Sequence, residues 1–200
     1  KRFTHTFEIY EGIALPKRYH GKLFGTAPVL RYVVASNLNP HGSTFRTEDI
    51  DHPITIGDDP TDRWFSPVEI QTGPDGNLYV ADFHARQVAH YIAYSKGLTD
   101  ANLGRVYRLK SKDSKPAEFG TPFSKHNLLN TLLGHPNRWH RETALRIVGD
   151  QKDSRLIPKL REVLRKETGQ PALQALWALN LCGSFGKEVA LETLRHENPH

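Results

Sequence analysis

Val68-Glu69-Ile70-Gln71-Thr72-Gly73-Pro74-Asp75-Gly76-Asn77-Leu78-Tyr79-Val80-Ala81-Asp82 is the stretch on which the first half of the chain turns. Two β-branched and aromatic runs, Val68–Thr72 and Leu78–Ala81, flank a Pro-Asp-Gly-Asn turn. Proline presets φ there, and Asp-Gly supplies the positive φ that a tight hairpin demands. The stretch therefore predicts two antiparallel strands.

Working outward, short runs of the same kind recur at Lys22–Thr26, Leu30–Ala35, Pro53–Ile56 and Val106–Leu109, each bounded by turn residues. Together they predict a meander of strands over residues 1–110. After a polar linker at 111–123 the hydrophobic period changes. Leu156, Leu160, Val163 and Leu164 fall at i, i+4, i+7 and i+8, the stripe of an amphipathic helix, with Asp153 or Ser154 as its cap and Pro158 near its first turn. Residues Pro171–Cys182 are apolar on nearly every side and end at Gly183, which predicts a helix between neighbours with Leu176, Trp177 and Cys182 buried and Lys166 and Glu167 exposed. Shorter helices are expected at Lys125–Leu133, Pro136–Val148 and Lys187–Arg195. A weak repeat, Leu133-Gly134-His135-Pro136-Asn137 against Leu194-Arg195-His196-Glu197-Asn198, suggests stacked helical hairpins over 124–200. In such a stack each hairpin is covered by the next, so a repeat that stops at His200 leads to the expectation that the chain is a piece of a longer protein. The absence of methionine, position 1 included, points the same way.

Composition narrows the classes. With 38% hydrophobic and 24% charged residues the chain has the makeup of a globular protein, and no run reaches the roughly eighteen apolar residues that a membrane span requires. The single cysteine, Cys182, sits in an apolar run and reads as a small hydrophobe; alone it excludes a c-type haem attachment pair and a thiolate zinc site within these residues. The net charge of +5 is spread: residues 124–200 carry twelve Lys/Arg against eight Asp/Glu, and residues 1–123 fifteen against fourteen. The densest basic stretches, Arg138–Arg141 and Arg161–Lys166, lie on helices with an apolar stripe opposite and have no base-reading motif beside them. They read as solvated helix faces, so no nucleic-acid partner is expected.

Several ordered pieces resemble a known family. Leu15-Pro16 with Gly21-Lys22-Leu23-Phe24, then His41-Gly42-Ser43-Thr44-Phe45, Phe65-Ser66-Pro67-Val68-Glu69, Thr72 to Asp82, and Gly104-Arg105-Val106-Tyr107-Arg108-Leu109 resemble the last part of the β-propeller in the glucose/sorbosone dehydrogenase-like superfamily, most closely its membrane-bound dehydrogenases of the planctomycete type. The second half, from Leu133-Gly134-His135-Pro136-Asn137-Arg138-Trp139, resembles the HEAT-like repeats that follow that propeller. The resemblance implies partial β-propeller blades followed by an α-helical HEAT-like solenoid. It also implies a sugar or alcohol oxidoreductase in a periplasmic or secreted setting, whose full-length form takes a quinone or a haem c. Quinone-dependent members place an arginine pair before the strand that precedes the Pro-Asp-Gly turn. Here that segment reads Phe65-Ser66-Pro67, with Arg63 displaced, so no cofactor is expected on these residues. Arg105 and Arg108, in the closing strand, read as structural.

The polar constellation best placed for chemistry is Asp82, His84 and His90, just past the strand that ends at Ala81. In the resembled family the same excursion starts with an aspartate and carries later histidines. Loops held by rigid strands are where ligands are usually bound, and Asp with two His could pair a base with its orienting carboxylate. The plainer alternative is that Asp82 caps the loop and the histidines are ordinary polar residues. Metal binding is not expected, because two histidines six residues apart outside a helix have no enforced convergence. The functional expectation is thus part of a dehydrogenase, with these residues mainly structural and the isolated piece inactive. The alternative is a non-catalytic module for a protein or glycan partner, the protein bound through the helical repeats and any small molecule being sugar-like.

Overall fold

The computed structural model of the chain describes residues 5–54, 64–85, 95–97, 103–112 and 121–197. They fall into two compact units, Lys1–Ala117 and Glu118–His200. All described strands belong to the first, and the five α-helices between Leu128 and Thr193 to the second.

The strand unit holds two antiparallel sheets. One has the order β1 (Phe7–Ile9), β2 (Leu23–Ala27), β3 (Tyr32–His41), β4 (Thr44–Ile54); the other has β5 (Pro67–Thr72), β6 (Leu78–Asp82), β7 (Arg105–Leu109). In β6, buried Leu78, Val80 and Asp82 alternate with half-buried Tyr79 and Ala81, the period of a strand with one face inward. The β5–β6 turn closes with the Gly73 N–H donating to the Asn77 carbonyl at 2.8 Å, and Gly76 takes φ +76°. A side chain at Gly76 would meet the Ile13 backbone nitrogen at 2.9 Å, so both conformation and space require glycine here. The longest hairpin, β3–β4, was poorly marked in the sequence. Its outer half is exposed, so no apolar alternation records it; what defines it is the two-residue turn Gly42-Ser43, with Gly42 at φ +60° and His41 paired to Thr44.

The two sheets share one core: Tyr10, Phe24, Val33 and Ala35 from the first pack with Phe65, Ile70, Leu78 and Val80 from the second. Tyr10 is fully buried, and its hydroxyl is saturated. It donates to the Gly76 carbonyl at 2.6 Å and accepts from the Ala14 and Leu15 N–H groups at 3.0 and 2.8 Å. One phenol thus ties the β5–β6 turn to the segment after β1.

The helical unit contains α1 (Leu128–Gly134), α2 (Arg138–Gln151), α3 (Ile157–Lys166), α4 (Gly169–Leu181) and α5 (Lys187–Thr193). Asn137 caps α2 by accepting the Trp139 N–H at 3.0 Å, and Asp153 caps the short 3-10 turn before α3 by accepting the Arg155 N–H at 3.0 Å. Leu160 and Leu164 of the α3 stripe are buried, with Leu156 and Val163 packed against them.

The expectation of propeller blades followed by a HEAT-like solenoid is overturned. The strands form two small open sheets of four and three strands, neither of them closed, and five helices follow. A Pro-Asp-Gly turn reports a hairpin, not the number of strands around it or their closure. Helices alone do not make a solenoid, and here α4 packs on α1, α2 and α3 around one shared core. Burial on α4 also differs from expectation: Trp177 is 44% exposed, and Leu176 and Cys182 are half-buried. The residues that α4 turns inward are Ala172, Gln174, Ala175, Ala178 and Leu179, and the alanines let three helix backbones approach it. Lys166 and Glu167 are exposed, as their charge predicts.

Candidate functional site

The last strand residue, Asp82, is 3% exposed, and the pleat of β6 turns its side chain inward. One carboxylate oxygen, Oδ1, accepts the backbone N–H groups of Ser66 at 2.6 Å and His84 at 2.7 Å. The first bond clamps the residue before β5; the second closes an Asx turn that leaves His84 at φ +50°, left-handed backbone that a non-glycine residue rarely adopts. His84 is 1% exposed, with its ring 5.4 Å from the Trp64 ring at a 60° tilt.

The other carboxylate oxygen, Oδ2, lies 3.6 Å from His84 Nδ1. That is ion-pair range but beyond hydrogen-bond reach, and both atoms are buried without a hydrogen-bond partner. His90 lies outside the described residues, as does Arg63. The structure therefore brings together two of the three candidate residues, as a buried pair rather than an open dyad.

Three participants were not foreseen. Arg31, in the turn between β2 and β3, reaches the Phe65 and Ala85 carbonyls at 3.4 and 3.2 Å and the Ser66 hydroxyl at 3.4 Å. Ser66 Oγ donates to the Trp64 carbonyl at 3.1 Å. Arg31 also has positive φ, +60°, so two of the three such non-glycine residues among those described meet in this cluster. Ser66 lies within, and Trp64 directly precedes, the segment Phe65-Ser66-Pro67 that the sequence motifs single out. Nothing in the local sequence links Arg31 to it, thirty-five positions away.

At the opposite end of β6, Asp75 makes a contrasting site. Oδ2 accepts from Asn77 Nδ2 at 2.9 Å and the Tyr79 hydroxyl at 3.0 Å and pairs with Arg108 at 2.6 Å, while Oδ1 accepts the Asn77 N–H at 3.1 Å. Burial raises its pKa, but the bonds from Asn77 and Tyr79 and the charge of Arg108 together outweigh burial and hold the carboxyl below its ordinary value. Arg108 is thereby fixed as a strand-to-turn tie.

Among the described residues, the segment where quinone-dependent members carry an arginine pair offers no matching pair of cations. Phe65 and Ser66 are buried and add no charge, and the guanidinium against them, Arg31, is spent on carbonyl and hydroxyl oxygens. The single thiol, Cys182, cannot supply the pair that c-type haem attachment needs, and burial raises its pKa. Among the described residues no group of three His, Cys, Asp or Glu converges as a metal site. No described helix is long and apolar enough to cross a membrane.

The family model described as Domain of unknown function (DUF7133) matches residues 2–113, which contain the whole of this cluster. No curated protein and no solved structure matches the chain.

Proposed function

We propose that this chain, which belongs to the family described as Domain of unknown function (DUF7133), is a structural, non-catalytic portion of a sugar- or alcohol-oxidising dehydrogenase working in a periplasmic or secreted setting. The oxidoreductase setting rests on the ordered motifs from Leu15 to Leu109. The non-catalytic part rests on one observation: Asp82 and His84 are sealed from solvent, and the Asp82 oxygen with partners is spent on two backbone N–H groups. A general base must reach the proton it abstracts, within about 3 Å or through one water. An imidazole 1% exposed presents no such path.

Two measurements test the two halves. The purified chain, given aldoses, polyols and a redox dye, should reduce no dye above buffer; dye reduction that disappears in His84→Gln would overturn the non-catalytic half. Cells lacking the gene should lose sugar- or alcohol-dependent dye reduction in their periplasmic or secreted fraction. Unchanged reduction there would overturn the dehydrogenase setting.

A second reading, a non-catalytic module for a protein partner, is favoured by the apolar side chains that the last two helices and their connection leave exposed. Trp177, Phe185 and Leu194 are 44%, 42% and 83% exposed. This reading predicts the first result above without the second.

A further inference from the structure

The junction between α1 and α2 is built from protonatable and cationic groups. The His135 and His140 rings lie with centroids 4.1 Å apart, and His140 is also stacked on Phe123 at 5.6 Å. His140 and Arg141 are each 5% exposed, and Arg141 Nη1 donates to the His135 and Pro136 carbonyls at 2.8 and 3.1 Å. His135 Nδ1 lies 3.0 Å from the Asn137 backbone nitrogen and 3.3 Å from the Asn137 carbonyl oxygen. These two contacts demand opposite protonation states of one nitrogen. The N–H contact decides, because a backbone N–H is a fixed donor and the contact is shorter; Nδ1 is then an acceptor and the ring is neutral. Asn137, whose amide is held in this way, is the residue that caps α2.

We propose that His135, Asn137 and His140 form an acid-sensitive latch on the start of α2: with a neutral His135 ring the latch holds the cap in place, and protonation at Nδ1 releases it. A proton on Nδ1 removes the acceptor for the Asn137 N–H. It also places a cation against a helix N-terminus, whose partial charge is already positive. The ionisable groups facing the ring from α2 are His140 and Arg141, and neither welcomes a second positive charge. The two helices packed against α2, α1 and α4, contain no ionisable side chain. Lys125 and His126, in the turn before α1, are exposed. Burial first and then His140 lower the His135 pKa; the Asn137 carbonyl pulls the other way, and Arg141 adds a smaller lowering. The sign follows. A folded-state pKa below the unfolded value of about 6.5 leaves stability intact above that pH and removes it as pH falls toward the folded value. This latch is independent of the reading of the Asp82 cluster.

The test uses the full chain and the helical signal at 222 nm. Between pH 7.5 and 5.0 the parent's helical melting temperature should fall by about 5 °C more than that of His135→Asn, whose Oδ1 can accept the Asn137 N–H but does not titrate. An equal fall in the two proteins would overturn the latch. If the variant does not fold, an NMR titration of the parent decides. A His135 midpoint below about 6.5 with the Asn137 amide moving in step supports the latch; a midpoint at or above that value, or an unmoved amide, overturns it.

Discussion

The two ends of β6 carry one buried aspartate each and solve the same problem differently. At the turn end, Asp75 is completed by partners mostly within four residues of it, Asn77 and Tyr79, with Arg108 supplied by the next strand. Every carboxylate oxygen there has a donor. At the loop end, Asp82 satisfies one oxygen with Ser66 and His84 N–H groups and leaves the other facing an imidazole nitrogen it does not reach. The remaining support comes from Arg31, across the boundary between the sheets. Local completion makes a turn rigid at little cost. Distant completion leaves a buried polar pair that stays in place because the surrounding fold over-determines it, and such strain is tolerated where a structural clamp is needed or a function uses it.

The largest effect should come from deleting the clamp. Asp82→Ala strips the acceptor from two buried N–H groups at once, and we expect a loss of about 3 kcal/mol in urea unfolding. A loss below about 1 kcal/mol would show that Arg31 and Ser66 hold the loop without Asp82. Next, Tyr10→Phe removes a saturated hydroxyl and leaves the Ala14 and Leu15 N–H groups and the Gly76 carbonyl unpaired, at a cost of about 2 kcal/mol by the same measurement. This would place the anchoring of the turn end in the tertiary fold, against its locally completed carboxylate.

Asp75→Asn should cost about 1 kcal/mol, since the amide oxygen can still accept while the charge facing the half-exposed Arg108 is lost. The parent's pH dependence gives a companion test. The Asp75 pKa is depressed in the fold, so its contribution is fully present above the unfolded carboxylate value, about 3.9, and disappears as pH falls through the folded one. The difference in stability between parent and Asp75→Asn should therefore shrink below about pH 4. The smallest effect, within about 0.5 kcal/mol of the parent, is expected for Asp82→Asn. Its Oδ1 keeps both backbone caps, and its amide can offer a proton to His84 Nδ1. A large loss there, measured by thermal melting, would mean that the carboxylate charge itself holds the buried pair in place.

How much of this was legible differs residue by residue. The β5–β6 hairpin was legible because Pro74, Asp75 and Gly76 act on their own backbone, and the strand limits on either side follow from the pleat. Asp82 was legible as a strand-end residue, and the plainer reading of it, a cap on the loop, describes its Oδ1. The exposed outer half of β4 was not legible, because a strand that buries neither face there leaves no hydrophobic period.

By itself the sequence determined the order of strands then helices and the turn at Asp75. Each of these depends on interactions within a few residues or on composition. Only the tertiary structure decided how the strands divide between two sheets, that α4 faces three helices with alanines and turns Trp177 toward solvent, and that Arg31 meets Ser66 beside Asp82. The physical reason is common to all three. Hydrophobic period and turn chemistry act along the chain, whereas the division of strands between sheets, the choice of buried face and the pairing of distant polar groups are set by which surfaces the folded chain brings together.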